Sequence, residues 1–543
     1  MSQDQTLFLR KASGLVRSWK TFDGFIYALY GDSVIVAGAL TYGLSYQWSA
    51  GNIPLAILLI TLAVIPVSIV YAMLASTIPR VGGDYVWQSR TFGGIFGYTL
   101  CLSGIVLWPM LYAATNWYAG GVTVAAPLFL ILGGTMHIQS FINLATWLGT
   151  ADGLWWGFVF NCVWALFILI AGMKWYGRIQ RWSFYIGCVA VVAWVGMFLV
   201  TTNQDFVSNF NWFMTSFFQW GGSNPYQYVL NQASAAGYNA VPLNQTTLGD
   251  TYALMPVMAY VFIWVTWAGA MSGEISGIDD LKKSMRMYVG AALFALLLGA
   301  GTMYLTLLVV GNQFFFSANY LWYSGTASMP IAPFIGFLYL AMTRNPIMWA
   351  ITIIGFNAWF WIWDTNNWVN AIRISFAMSF DRSLPDWVGS VNKKFRVPLN
   401  AILIITAGSL IMGYLYYYTV FASYTLDVVV GTAAAIVGST VAGTFMPYMK
   451  STKAMWEASP ASKYKVGPVP VITICGILGI VFLWIPLYYL WIVDPRYGVN
   501  SPLSGAVLIG SFVGAAIIFL IMKAYRKRQG IDLNLVYREI PYE

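Results

Sequence analysis

Two carboxylates stand inside runs that are otherwise apolar, and no other residues of the chain are so well placed to do chemistry. Asp32 lies in YALYGDSVIVAGALTYGLSY and Asp364 in WFWIWDTNNW. An ionisable group at membrane depth is costly to keep there, so each marks a candidate ion or substrate path. Asp32 follows Lys20 by 12 residues and Asp364 precedes Arg373 by 9. At about 1.5 Å of rise per residue, both fall in the inner half of a bilayer. Two carboxylates brought together in a low dielectric hold a proton that neither would hold in water, giving a group able to load and release H+. Thr365 adds a hydroxyl next to the second. Other uses stay open: Asp32 suits the cap of an interrupted helix or the partner of a substrate ammonium, and Asn366 and Asn367 suit an interhelical hydrogen-bond network around Asp364.

The remaining polar chemistry is sparse. Glu274 is placed to form an inner gate with Arg17 or Lys20, or to be a solvated loop charge, and Asp427 is placed to cap a helix. His137 is the only histidine, and with no second His or Cys nearby it implies no metal site. No phosphate-cradling G-x-x-x-x-G-K-[ST] loop occurs, which argues against an ATP-driven pump. No Ser/His/Asp constellation points to an enzyme, and no cofactor is expected. Cys101, Cys162, Cys188 and Cys475 all fall in apolar runs, where they read as core filler rather than a disulfide framework.

The elements that must hold these residues are membrane helices. The chain is 59% hydrophobic and 9% charged, against roughly a quarter charged in soluble domains. Twelve segments reach the roughly 20 apolar residues that a crossing needs: 24–48, 53–76, 97–121, 153–173, 182–201, 251–273, 287–311, 346–372, 399–418, 427–447, 468–491 and 503–523. Of 28 Lys and Arg residues, 26 fall at the termini or in every second connection, with Arg344 and Arg496 the exceptions. Cationic loops resist translocation, so this pattern puts both termini in the cytoplasm. The net charge of +9 is spread over these loops and does not form a nucleic-acid face. The run 331–343 is too short to cross and is expected as an external, lid-like interfacial helix. The stretch 202–250, which has no Lys or Arg, is expected as a surface loop; its Asn244-Gln245-Thr246 triplet is weak evidence of glycosylation.

TIPRVGGDYVWQSRTFGGIFGY, 77–98, resembles the cytoplasmic signature of the amino acid-polyamine-organocation permeases: a Pro-Arg step, a Gly-Gly pair, Asp-Tyr-Val, Ser-Arg and a Gly-rich entry into the third span, in order. EISGIDDLKKSM, 274–285, and ISFAMSFDRSLPDWVGSVNKKFRVPLNAI, 374–402, extend it. The resemblance implies an all-α, five-plus-five inverted-repeat fold like that of the leucine transporter, with two added helices. That divides the chain into a cytoplasmic segment 1–23, repeats 24–201 and 251–447, an external loop 202–250, a cytoplasmic loop 448–467, spans 468–523 and a tail 524–543.

In such carriers the first helix of each repeat is broken at mid-membrane, and its free backbone groups hold the substrate. Gly31, Asp32, Ser33, Gly38 and Gly43 interrupt span one, and Thr266, Gly269, Ser272 and Gly273 interrupt span six; glycine also serves close helix packing. The family's Gly-Ser-Gly or Gly-Ala-Gly triplet falls on Val36, Ala37 and Gly38, of which only the last keeps its glycine. Trp264 and Trp267 stand where relatives carry an aromatic gate. Spans one and eight face each other in this fold, where relatives bind sodium or a proton-carrying substitute, which assigns ion coupling to Asp32, Asp364 and Thr365. The implied function is secondary transport of an amino acid or related amine, neutral or cationic, across the plasma membrane and coupled to H+, with Na+ the nearest rival. An exchanger without net coupling, and a non-transporting receptor or anchoring subunit, are the alternatives.

Overall fold

The computed structural model describes residues 18–327, 329–392 and 394–539. Among the described residues are twelve helices long and apolar enough to cross a membrane: spans one to six are Thr21–Gln47, Ile53–Thr77, Gly94–Met136, Ala151–Ala171, Met173–Val200 and Leu248–Glu274. Spans seven to twelve are Leu281–Val310, Pro346–Phe380, Leu399–Tyr418, Asp427–Phe445, Val471–Val493 and Pro502–Arg528. Each overlaps one of the twelve segments read from hydropathy, with span three running on from 121 to 136 and span eight from 372 to 380.

An apolar helix must bury its whole circumference in protein or in lipid, and the spans divide on this point. The most apolar stretches of spans one and six are 94% and 100% buried inside the protein, whereas that of span twelve is 17% buried. Spans one and six therefore form the axis of the bundle, and span twelve is left to the lipid. Span three is the longest because two wide π turns, Leu102–Leu107 and Gly121–Ala125, keep it going past Pro109 and Pro127. Span eleven repeats the device, with Ile480–Trp484 ahead of Pro486. A proline lacks the N–H for the carbonyl one turn back and its ring presses on it; a widened turn relieves both.

Two expectations are corrected. The stretch 202–250 is largely helical, with Asn203–Phe218 and Pro225–Ala235. Phe206, Phe210 and Phe213 recur at helical spacing and bury against Phe314 and Phe337, a stripe masked by the polar residues between them. Within 331–343 there is a short helix, Ile335–Ala341, but every one of its residues is buried. It is packed into the bundle instead of lying over it as a lid.

At the end of the bundle where Lys and Arg concentrate, helix Gly83–Phe92 links spans two and three. Its Arg90 makes a bidentate pair with Asp381 at 2.5 and 2.9 Å, both side chains buried. Tyr537 packs onto the same helix, its hydroxyl 3.2 Å from that of Tyr85.

Candidate functional site

Spans one and six are both interrupted. Span one is helical over Thr21–Asp32, turns through Ser33 in the left-handed region (φ 41°) and resumes over Val36–Leu44. Ser33 caps the second segment: its carbonyl accepts from the amides of Ala37 and Gly38 at 3.0 and 3.3 Å, and its Oγ also accepts from Ala37. Among the described residues, the amides of Ile35 and Val36 at the start of this segment make no backbone hydrogen bond outside it, as first-turn donors without an acceptor one turn back. Of the expected triplet, Val36 is thus the position with a donor to offer, while Ala37 and Gly38 are engaged by Ser33.

Span six is α-helical over Met255–Phe262 and then runs as a 3-10 helix from Trp264 to Glu274. Such helices rarely exceed three or four residues, because their hydrogen bonds are poorly aligned, and long ones often mark hinges. Asp32 reaches across from span one, its Oδ1 accepting from the amides of Trp264 at 2.9 Å and Val265 at 3.0 Å. It is a helix cap, as one sequence reading allowed, but it caps span six. Gly31 makes this approach possible: a Cβ there would come within 2.6 Å of the Trp264 carbonyl oxygen. The other oxygen of Asp32, Oδ2, is buried and finds no hydrogen-bond partner among the described residues.

An aromatic cluster surrounds this junction. Trp264 lies 5.1 Å from Trp267 and 5.4 Å from Tyr112, and Tyr112 lies 5.2 Å from Tyr260 between ring centroids. The Tyr260 hydroxyl meets Thr115 Oγ1 at 2.6 Å. Trp264 donates its indole N–H to the Tyr260 carbonyl, whereas that of Trp267 is unpartnered among the described residues. Thr266, expected to bind substrate, turns its hydroxyl to the Ile263 carbonyl. Thr365, expected to bind an ion, likewise donates to the Trp361 carbonyl.

Asp364 is also fully buried, but its Oδ2 accepts from Asn161 of span four. Its Oδ1, and both amide atoms of Asn116 on span three, are without partners among the described residues. No hydrogen bond joins Asp364 to Asp32; each carboxylate has donors of its own. The open amides of span six hold one and the Asn161 amide holds the other. Asn366 does form the anticipated network, accepting from Tyr176 and donating to the Tyr27 carbonyl.

Glu274 does not pair with Lys20. It forms a buried bidentate pair with Arg373 of span eight, Nη2 to Oε2 at 3.2 Å. Arg17 lies outside the described residues. Helical depth placed Arg373 at the membrane boundary, but span eight runs on to Phe380 and carries it inside the protein. Beside this pair, Trp19–Lys20 forms a parallel ladder with Ile275–Ser276, closing the basic end. His137 ends the helix Ala126–Met136 in a left-handed conformation. Asp427 is the first residue of span ten and accepts from Ser504 of span twelve.

The sequence reading passed over Asp84. The Gly82 amide donates to the Ala270 carbonyl at 2.8 Å, and a Cβ on Gly83 would come within 2.3 Å of the Gly269 oxygen. This explains the Gly-Gly pair of the motif: only bare backbone fits so close to span six. Asp84 follows and accepts from Tyr71 at 2.5 Å and Ser439 at 2.7 Å. Burial pushes its carboxyl up to about 6, with those hydrogen bonds opposing the rise. Its neutral form is therefore favoured by folding. The resulting stabilisation is fully present below the ordinary Asp range and is lost as pH rises through about 6, by at most about 3 kcal/mol. Thermal unfolding followed from pH 4 to 7.5 is expected to show this decline, and Asp84→Asn is expected to flatten it.

A family model described as amino acid permease matches residues 26–513. No curated protein matches the chain.

Proposed function

Because this chain belongs to the amino acid permease family, and is thus an amino acid transporter and not an enzyme, we propose that it works as a proton-coupled secondary carrier of the plasma membrane. In this proposal spans one to five and six to ten are inverted repeats, both termini are cytoplasmic, and alternating access exposes a central site to each side in turn. The observation that carries it is the junction of two broken helices at Asp32. The free amides of Ile35 and Val36 receive the substrate carboxylate. Asp32 Oδ2 receives its ammonium, since a buried unpaired carboxylate is unfavourable until a cation or a proton accompanies it. Asp364 carries the coupling proton, and the Glu274–Arg373 pair with the adjoining ladder is the inner gate.

One observation favours the exchanger as a second reading. The free oxygen of Asp32 is left as a buried unpaired charge when a substrate ammonium departs, so a substrate leaves most readily when another replaces it. Uptake into proteoliposomes separates the two. An inwardly directed proton gradient is expected to drive accumulation of an amino acid above equilibrium, and a sodium gradient to drive none. Counterflow unaffected by either gradient would establish exchange, and movement of no amino acid at all would leave the receptor or anchoring reading.

A further inference from the structure

Opposite the basic end, a cavity of about 490 Å³ opens among Leu40 and Leu44 of span one, Tyr118 midway along span three and the outer ends of spans four and nine. This lies within the range of about 300–1,000 Å³ typical of small-molecule sites. Five tyrosines line it: Tyr118, Tyr323, Tyr416, Tyr417 and Tyr497. Three have their hydroxyls tied to the protein, Tyr416 to Thr425, Tyr417 to the Ala114 carbonyl and Tyr497 to the Ala253 carbonyl. Ring carbon is the surface these three offer. The Tyr323 hydroxyl is buried without a partner among the described residues.

Among the described residues, no Asp, Glu, Lys, Arg or His lines the cavity. The charges nearest in sequence are engaged elsewhere: Asp152 accepts from Tyr418, Asp427 from Ser504, and Asp494 pairs with Arg496. The floor adjoins the central junction. Ala114, which holds Tyr417, precedes Thr115, which bonds Tyr260, which packs on Tyr112 beside Trp264.

We infer that this tyrosine-lined vestibule selects amino acids with large aromatic or branched apolar side chains on their way to the Asp32 junction; this rests on the carrier reading above. An aromatic side chain gains ring contacts and burial here. A charged side chain gives up hydration with no counter-charge to receive it. The zwitterionic head can stay toward the open mouth, still hydrated, until the floor opens.

The test is competition against labelled L-phenylalanine counterflow in proteoliposomes of the full chain. L-Tryptophan, L-tyrosine and L-leucine are expected to compete about tenfold more strongly than glycine, L-lysine, L-glutamate or choline. Ala151→Trp, which fills the cavity from the start of span four, should weaken phenylalanine about tenfold and alter alanine little. Ala422→Trp is a second filling variant, and the wild-type competition series decides the matter if neither variant folds. Exchange confined to small or charged amino acids, or choline competing as well as tryptophan, overturns the inference and leaves the carrier reading standing. If none of the twenty amino acids is exchanged, both fall.

Discussion

Asp32→Asn is expected to reduce amino acid binding and transport by two to three orders of magnitude while leaving the protein folded. The asparagine Oδ1 still accepts from the Trp264 and Val265 amides, so the cap on span six survives. What disappears is the charge at Oδ2. Losing one partner of a buried charged hydrogen bond costs about 2–5 kcal/mol, or about thirtyfold to several thousandfold in affinity. Asp364→Asn should behave differently: gradient-driven accumulation is abolished while counterflow persists, because the proposed proton site is removed and the proposed substrate site is intact. Both variants are read in one proteoliposome preparation with and without a pH gradient. Normal accumulation by Asp364→Asn removes the coupling role, and normal binding by Asp32→Asn removes the ammonium site.

Breaking the inner pair should have a comparably large effect. Glu274 and Arg373 are each about 3% exposed, and deleting one member of a buried ion pair costs about 3–5 kcal/mol, since the other is stranded in low dielectric. Opening the basic end to water relieves that cost, so Glu274→Gln is expected to populate the form open at that end. The readout is alkylation of a cysteine placed at Ser272, buried in the 3-10 segment. Labelling from the basic side should rise more than tenfold in the Glu274→Gln background, and Glu274→Gln combined with Arg373→Met should restore slow labelling. Equal labelling in all three backgrounds would show that the pair is structural and no gate.

The junction at Asp32 also explains why helix breaks and their partners differ in how legible they are. The break in span one is visible as Gly31, Asp32 and Ser33 crowding an apolar run, and Ser33 proves to be the turn itself. The break in span six is equally visible in its small residues. That Asp32 caps span six, across more than two hundred positions of chain, follows only from how the helices pack. Asn161 is one polar residue in WWGFVFNCVWALF, a signal that could have flagged it; its pairing with Asp364 could not be read there. Arg373 was misplaced because a hydropathy boundary marks where apolar residues stop, whereas span eight keeps its helix for two further turns within the protein. The buried phenylalanine stripe of Asn203–Phe218 was hidden for the opposite reason, since polar residues make up half of the helix and break up its apolar run.

Hydropathy and charge are properties of each segment against its solvent, so the number of spans and the two breaks were determined by the sequence on its own, while the limits of spans such as three and eight were not. Which acid caps which helix, which cation closes the basic end and what lines the vestibule are pairings between segments distant in the chain. Those were decided by tertiary packing alone, because a buried polar group takes the partner that folding brings within about 3 Å, and local sequence carries no record of that distance.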